Sequence, residues 1–89
     1  MKIVVTIVGQ DRVGIVAKVS TALADVNVNV LDINQNIMHG FFNMVMIADM
    51  GAATLSLKDL QQKLSDVGKS IGVDIKIQSE DIFNIMHRI

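Results

Sequence analysis

Between a run of β-branched residues and a stretch of helical periodicity the chain reads Gly9, Gln10, Asp11, Arg12, Val13, Gly14. A strand-to-helix loop of this kind offers backbone N–H groups and the positive end of a helix dipole beside a residue without a side chain, and a small carboxylate fits there. The same residues have a purely structural reading, in which Asp11 caps the helix, Arg12 is solvated and Gly14 lets the helix pack closely on the strand. Local physics by itself favours the structural reading. The spacing also imitates a fragment of a phosphate loop, but Ile15 and Val16 stand where Lys and Ser or Thr are needed, which excludes nucleoside triphosphate binding.

Other chemistry has little to build on. His39 sits between two runs of strand-like sequence and His87 near the end, without an HxxxH spacing or a carboxylate pair nearby, so both read as surface residues. No Ser, His, Asp set can be assembled, and the absence of Cys removes thiolate nucleophiles, iron–sulfur clusters, cysteine zinc sites and disulfides. Neither a metal nor a cofactor is expected. Eight Lys and Arg against nine Asp and Glu give a net charge of −1, no footprint for nucleic acid or an anionic membrane. The apolar run from Ile3 to Val8 is too short to span a bilayer and is followed at once by Gln10, Asp11 and Arg12. The expected setting is the reducing cytoplasm.

The elements that must hold these residues follow from periodicity. Ile3 to Val8 is β-branched throughout, without alternation, as expected for a strand buried on both faces. Val16, Val19, Leu23 and Val26 then fall at helical spacing, predicting a helix from about Val13 to Asp25 behind a cap at Asp11. Val28 and Val30 alternate with Asn27 and Asn29, and the apolar parity then slips by one through Leu31, Ile33 and Ile37, as a bulge near residues 30 and 31 would cause. His39 and Gly40 read as a hairpin turn. The third strand begins at Phe41, with Phe42, Met44, Met46, Ala48 and Met50 on one face and Phe41, Val45 and Ile47 on the other, again buried on both sides. Ser56 and Asp59 have capping-box spacing before a helix carrying Leu57, Leu60, Leu64, Val67 and Ile71, ended by Gly72; Gly68 predicts fraying of its last turns. Val73, Ile75 and Ile77 form a fourth, half-wet strand, and a tail from Asp81 places Ile82, Ile85, Met86 and Ile89 on one helical face.

The order β, α, β, β, α, β in 89 residues predicts one α+β domain, a ferredoxin-like sandwich with strand order 4132 and both helices on one face, over residues 1–80. Strands one and three, central in that topology, are the two that are apolar on both faces. The opposite sheet face needs a cover, which the tail of residues 81–89 or a second chain must supply, so a homodimer or higher homo-oligomer is expected. The Met residues of strand three read as packed or dimer-buried surface.

Asp11 to Val16, with Asn27, Val28, Asn29 and Val30 at the start of strand two, resemble the signature of the ACT domain, a small-molecule-sensing module of amino-acid metabolism. The resemblance covers the whole βαββαβ unit. With the ending from Glu80 to Ile89, the chain is similar to the stand-alone ACT proteins grouped as UPF0237. The resemblance implies a non-enzymatic regulatory module in which two chains pair side by side. An amino acid then sits between the first loop of one chain, Asp11, Arg12, Val13, Gly14 and Ile15, and Asn29 of the other. Backbone N–H groups near Gly14 would take the carboxylate, Asp11 the ammonium and the Asn29 amide a polar ligand atom. The sequence departs from members that carry Asn or His in the loop and Pro before the Gly, having Asp11 and Val13 instead.

Two other readings stand beside it. One is a ligand-free interaction protein that meets itself or a regulated partner through the sheet edge and tail. The other is an acylphosphatase-like hydrolase using Arg12 and Asn43, whose glycine-rich loop pattern is missing here. RNA-recognition domains share the topology but need a basic sheet with stacked aromatics, whereas Phe41 and Phe42 are neighbours and point to opposite faces. The polar row Asp32, Asn34 and Asn36 either pairs with a second chain or simply keeps strand two in water.

Overall fold

The structure, a computed structural model, describes residues 1–10 and 13–86, without the side chains of Met38, Ile85 and Met86. The expected elements form in the expected order: β1 (Lys2–Gln10), α1 (Ile15–Ala24), β2 (Asn29–Met38), β3 (Phe41–Asp49), α2 (Leu57–Ile71), β4 (Val73–Ser79) and α3 (Glu80–Met86). All strand pairs are antiparallel, in the spatial order β2-β3-β1-β4, which is the 4132 topology read from the other edge.

The core lies between the sheet and the α1–α2 layer. Ile3, Val5 and Ile7 of β1, with Phe42, Met44, Met46 and Ala48 of β3, face Val19 and Leu23 of α1 and Leu60 and Leu64 of α2. The parity slip in strand two is a register shift between Val30 and Asp32 opposite β3. The hairpin turn has His39 at φ 53° and Gly40 at φ 81°, two left-handed residues as a twist-matched two-residue loop requires. Ser56 caps α2 by accepting from the Asp59 N–H at 3.1 Å.

Gly68 is where the structure corrects the sequence reading. It is buried within α2, and a Cβ there would lie 2.6 Å from the Val73 carbonyl oxygen and 3.2 Å from Ile75 Cγ1. The glycine lets the helix backbone approach β4 closely, so it fixes the last turns instead of fraying them.

Double-sided burial of the central strands is only partial within one chain. On the face away from α1 and α2, Val4 is 2% exposed, and α3 packs against β1 and β4 at that end of the sheet. Further along, Val8 and Phe41 stand open and Val45 and Ile47 are half-buried.

Candidate functional site

The first loop meets the sheet where Gln10 pairs with Phe41. Asp11 and Arg12 lie outside the described residues. Val13 is fully exposed, and Gly14 takes φ 89° and ψ 2° as the N-cap of α1. A left-handed residue cannot sit inside a right-handed helix, so α1 starts at Ile15, two residues later than expected, and the capping position is Gly14 and not Asp11. The Gly14 carbonyl accepts from the Lys18 N–H at 2.9 Å. A Cβ on Gly14 would meet nothing within 4 Å. The glycine therefore serves the backbone conformation, not close packing of helix on strand.

Among the described residues no side chain accepts from the first-turn N–H groups of α1, and no acidic residue lies in that turn. These donors are what the loop has to offer an anion. Ile15 brings only its backbone to such a site, because its side chain is buried in the core.

Asn29 belongs to another place. After α1 the chain turns through Asn27 at φ 58°, a conformation Asn tolerates, while the Val28 N–H bonds back to the Leu23 carbonyl at 3.0 Å. Asn29 then opens β2 opposite Asp49. With Ala24, Asn27, Val28 and Ala52 it lines a shallow hollow of about 330 Å³. The two halves of the predicted site are separated by the ten residues of α1, roughly 15 Å. The sheet register agrees: Asn29 and Asp49 lie at the Lys2 end of β1, whereas Met38, Phe41 and Gln10 lie at the loop end. One chain does not bring Gly14 and Asn29 together.

The outer edge of the sheet lies between these halves. Ile33 and Ile37 sit opposite Met46 and Phe42, on the helix-facing side, yet are 45% and 50% exposed because they extend beyond the cover of α1. Leu31, at the bulge, is exposed as well. The amino-acid sequence marks these residues as the apolar parity of strand two, alternating with the polar row Asp32, Asn34 and Asn36, but does not show that they stand exposed at an open edge.

Little else in the described residues suggests chemistry. No polar or charged residue is buried, and no group of three or more His, Asp or Glu could hold a metal ion. Two ion pairs occur among them, the N-terminal ammonium with Asp49 at 3.6 Å and Lys76 with Asp74 at 4.0 Å, neither made by a residue of the first loop. No helix among them is long and apolar enough to cross a membrane.

Comparison with known proteins agrees with this frame. A family model described as the ACT domain matches residues 1–78. A UPF0237 protein of Bifidobacterium longum is 51% identical over 88 residues, 99% of this chain and 98% of that protein. A UPF0237 protein of Methanosarcina mazei is 47% identical over 88 residues, 99% and 96% of the two chains. Among solved structures, an ACT domain protein from Streptococcus pneumoniae superposes with a TM-score of 0.82 at 34% identity, covering 93% of each chain. The strand order, the glycine-capped first helix and the Asn27–Asn29 turn thus sit in a chain that belongs to the ACT-domain family, within its UPF0237 group.

Proposed function

We propose that this ACT-domain chain works as a non-enzymatic regulatory module in the cytoplasm, a homodimer that binds an amino acid or similar small metabolite at its interface. The observation that carries the reading is the separation of Gly14 from Asn29 along an apolar, unpaired sheet edge. A two-fold axis through the middle of β2 pairs that strand antiparallel with its copy. The Asn29 end of one β2 then lies beside the Met38 end of the other, which is the end that carries the first loop. Such pairing assembles in two chains the site that one chain keeps apart, and it buries Ile33 and Ile37 in the same step.

At that junction the first-turn N–H groups beyond Gly14 bind the ligand carboxylate, Asp11 faces its ammonium group, and Asn29 of the second chain supplies an amide. Arg12, Val13 and Ile15 complete the loop, Ile15 through its backbone. Residues 1–80 form the binding module, and residues 81–89 complete its cover or its interface. A regulated protein reads the ligand only if the ligand binds two states of the dimer unequally.

The test is thermal denaturation with each of the twenty amino acids, with light scattering on the same samples. A ligand at 100 times its Kd adds about 2.7 kcal/mol, a shift of many degrees in a domain this small. Asn29→Ala is expected to lose that shift while keeping the melting temperature without ligand, because the Asn29 side chain is exposed. A stable dimer that answers to no amino acid would transfer the assignment to the ligand-free interaction module.

A further inference from the structure

A second hollow lies on the opposite side of the sheet from α1 and α2, at the hairpin end. It has a volume of about 380 Å³, within the range of small-ligand pockets. Asn36 of β2, Asn43 of β3 and Val8 of β1 stand in one cross-strand row along its floor. Phe41, two residues before Asn43 on the same face, is 57% exposed, and His39 of the turn completes the rim.

We propose that this hollow binds an uncharged purine or pyrimidine base, free or as its nucleoside. Phe41 and Val8 present apolar surface on which a planar ring can lie. The two amides are direct cross-strand neighbours, so their Cβ atoms are about 5 Å apart, and neither makes a hydrogen bond within the described residues. Each amide offers an acceptor oxygen next to a donor nitrogen, the pattern that matches the edge of a nucleobase. His39 adds a ring nitrogen able to donate or accept.

The hollow suits a neutral ligand. Among the described residues no Lys or Arg lines it, and the neighbouring strand places Asp74 opposite Val8 with its partner Lys76 opposite Thr6, so the described lining gives a phosphate group no free counter-charge. The groups are carried by paired strands and a turn with two left-handed residues, which holds them in place before a ligand arrives. Pairing of two chains along β2 lengthens the sheet in its own plane and does not by itself cover this hollow, whose described lining shares no residue with the proposed amino-acid site.

The experiment is a titration of the isotopically labelled full chain with adenosine, guanosine, cytidine and uridine, following the side-chain amide signals of Asn36 and Asn43 by NMR. At least one nucleoside is expected to shift both signals saturably below millimolar concentration, and its 5′-monophosphate to bind no more tightly. Phe41→Ala, at an exposed position, is expected to weaken binding at least tenfold, and Asn43→Ala to weaken it and change the preferred base. Asn29→Ala is expected to leave it unaltered. Amide signals that respond to no nucleoside at millimolar concentration, a monophosphate that binds more tightly, or unchanged affinity in both Phe41→Ala and Asn43→Ala would each overturn the assignment.

Discussion

The two edges of the sheet are built in opposite ways. At β4 the strand has seven residues, its outward side chains include the Asp74 and Lys76 ion pair, and α2 closes over it. Gln61 Nε2 of α2 donates to the Ile77 carbonyl at 2.7 Å. The Lys76 carbonyl next to it accepts from Thr6 Oγ1, toward the sheet interior, so Ile77 presents its carbonyl outward and Gln61 occupies it. At β2 the strand has ten residues and carries Leu31, Ile33 and Ile37 half in solvent. An open edge is a template for another strand, and proteins commonly blunt it with charge or cover. Here one edge is blunted and the other is not. A chain with two open edges can add copies without end, whereas a chain with one can only pair two-fold and close.

The largest effect is expected from reversing this difference at β2. Ile33→Lys together with Ile37→Lys places two ammonium groups on each chain's edge, four along the paired strands, with the two at position 33 close to each other beside the two-fold axis. Each half-exposed Ile loses roughly 1 kcal/mol of further burial. The desolvation of an unpaired charge adds several kcal/mol more. Light scattering should give the mass of one chain for this variant and of two for the parent. Lys76→Ile, which removes a charge from the other edge, should leave two chains. A double variant that still weighs two chains removes β2 from the assembly.

Much of this contrast was legible in the amino-acid sequence, for a physical reason. Apolar parity reports which face of a strand is dry, and it separated β1 and β3 from the alternating β2 and β4, hence centre from edge. The parity slip at Leu31 marked the bulge because a one-residue insertion is the cheapest way to change face. Parity does not report how far a covering helix reaches, so it does not show that Ile33 and Ile37, on the helix-facing side of β2, stand half in solvent. Nor does it report close approach of backbones. Gly68 and Gly14 look alike in the sequence, yet one is crowded by Val73 and the other stands in open space with a left-handed backbone. The halves of the predicted site were recognised by their residue types, but their separation within one chain is a matter of register, which needed the strand pairs themselves.

Gly68→Ala tests the closed edge through α2. In an exposed helix Ala is more stable than Gly by roughly 1 kcal/mol. Here the added methyl group must displace the Val73 carbonyl, and overpacking of this kind costs about 1–3 kcal/mol. The contact is to backbone, which yields less readily than a flexible side chain. We expect the melting temperature to fall by several degrees with the assembled mass unchanged. A rise would mean that helix propensity outweighs the contact, and that α2 does not press on β4 as closely as described.

Gln61→Ala is the smallest of these changes and the most direct test of what blunts β4. It removes one hydrogen bond to a carbonyl that water can then reach, a loss of about 1 kcal/mol. Folding stability should fall by that amount in urea denaturation, with an unchanged dependence on denaturant. The edge itself should stay closed to other chains. The Asp74 and Lys76 pair remains, the strand is short, and α2 still lies over it through Gly68. If the variant instead forms larger assemblies as its concentration rises, Gln61 alone separates a closed dimer from a growing filament. If its mass stays that of the parent, the barrier at β4 is distributed over charge, length and cover, and the open character of β2 is the property that sets where this chain pairs.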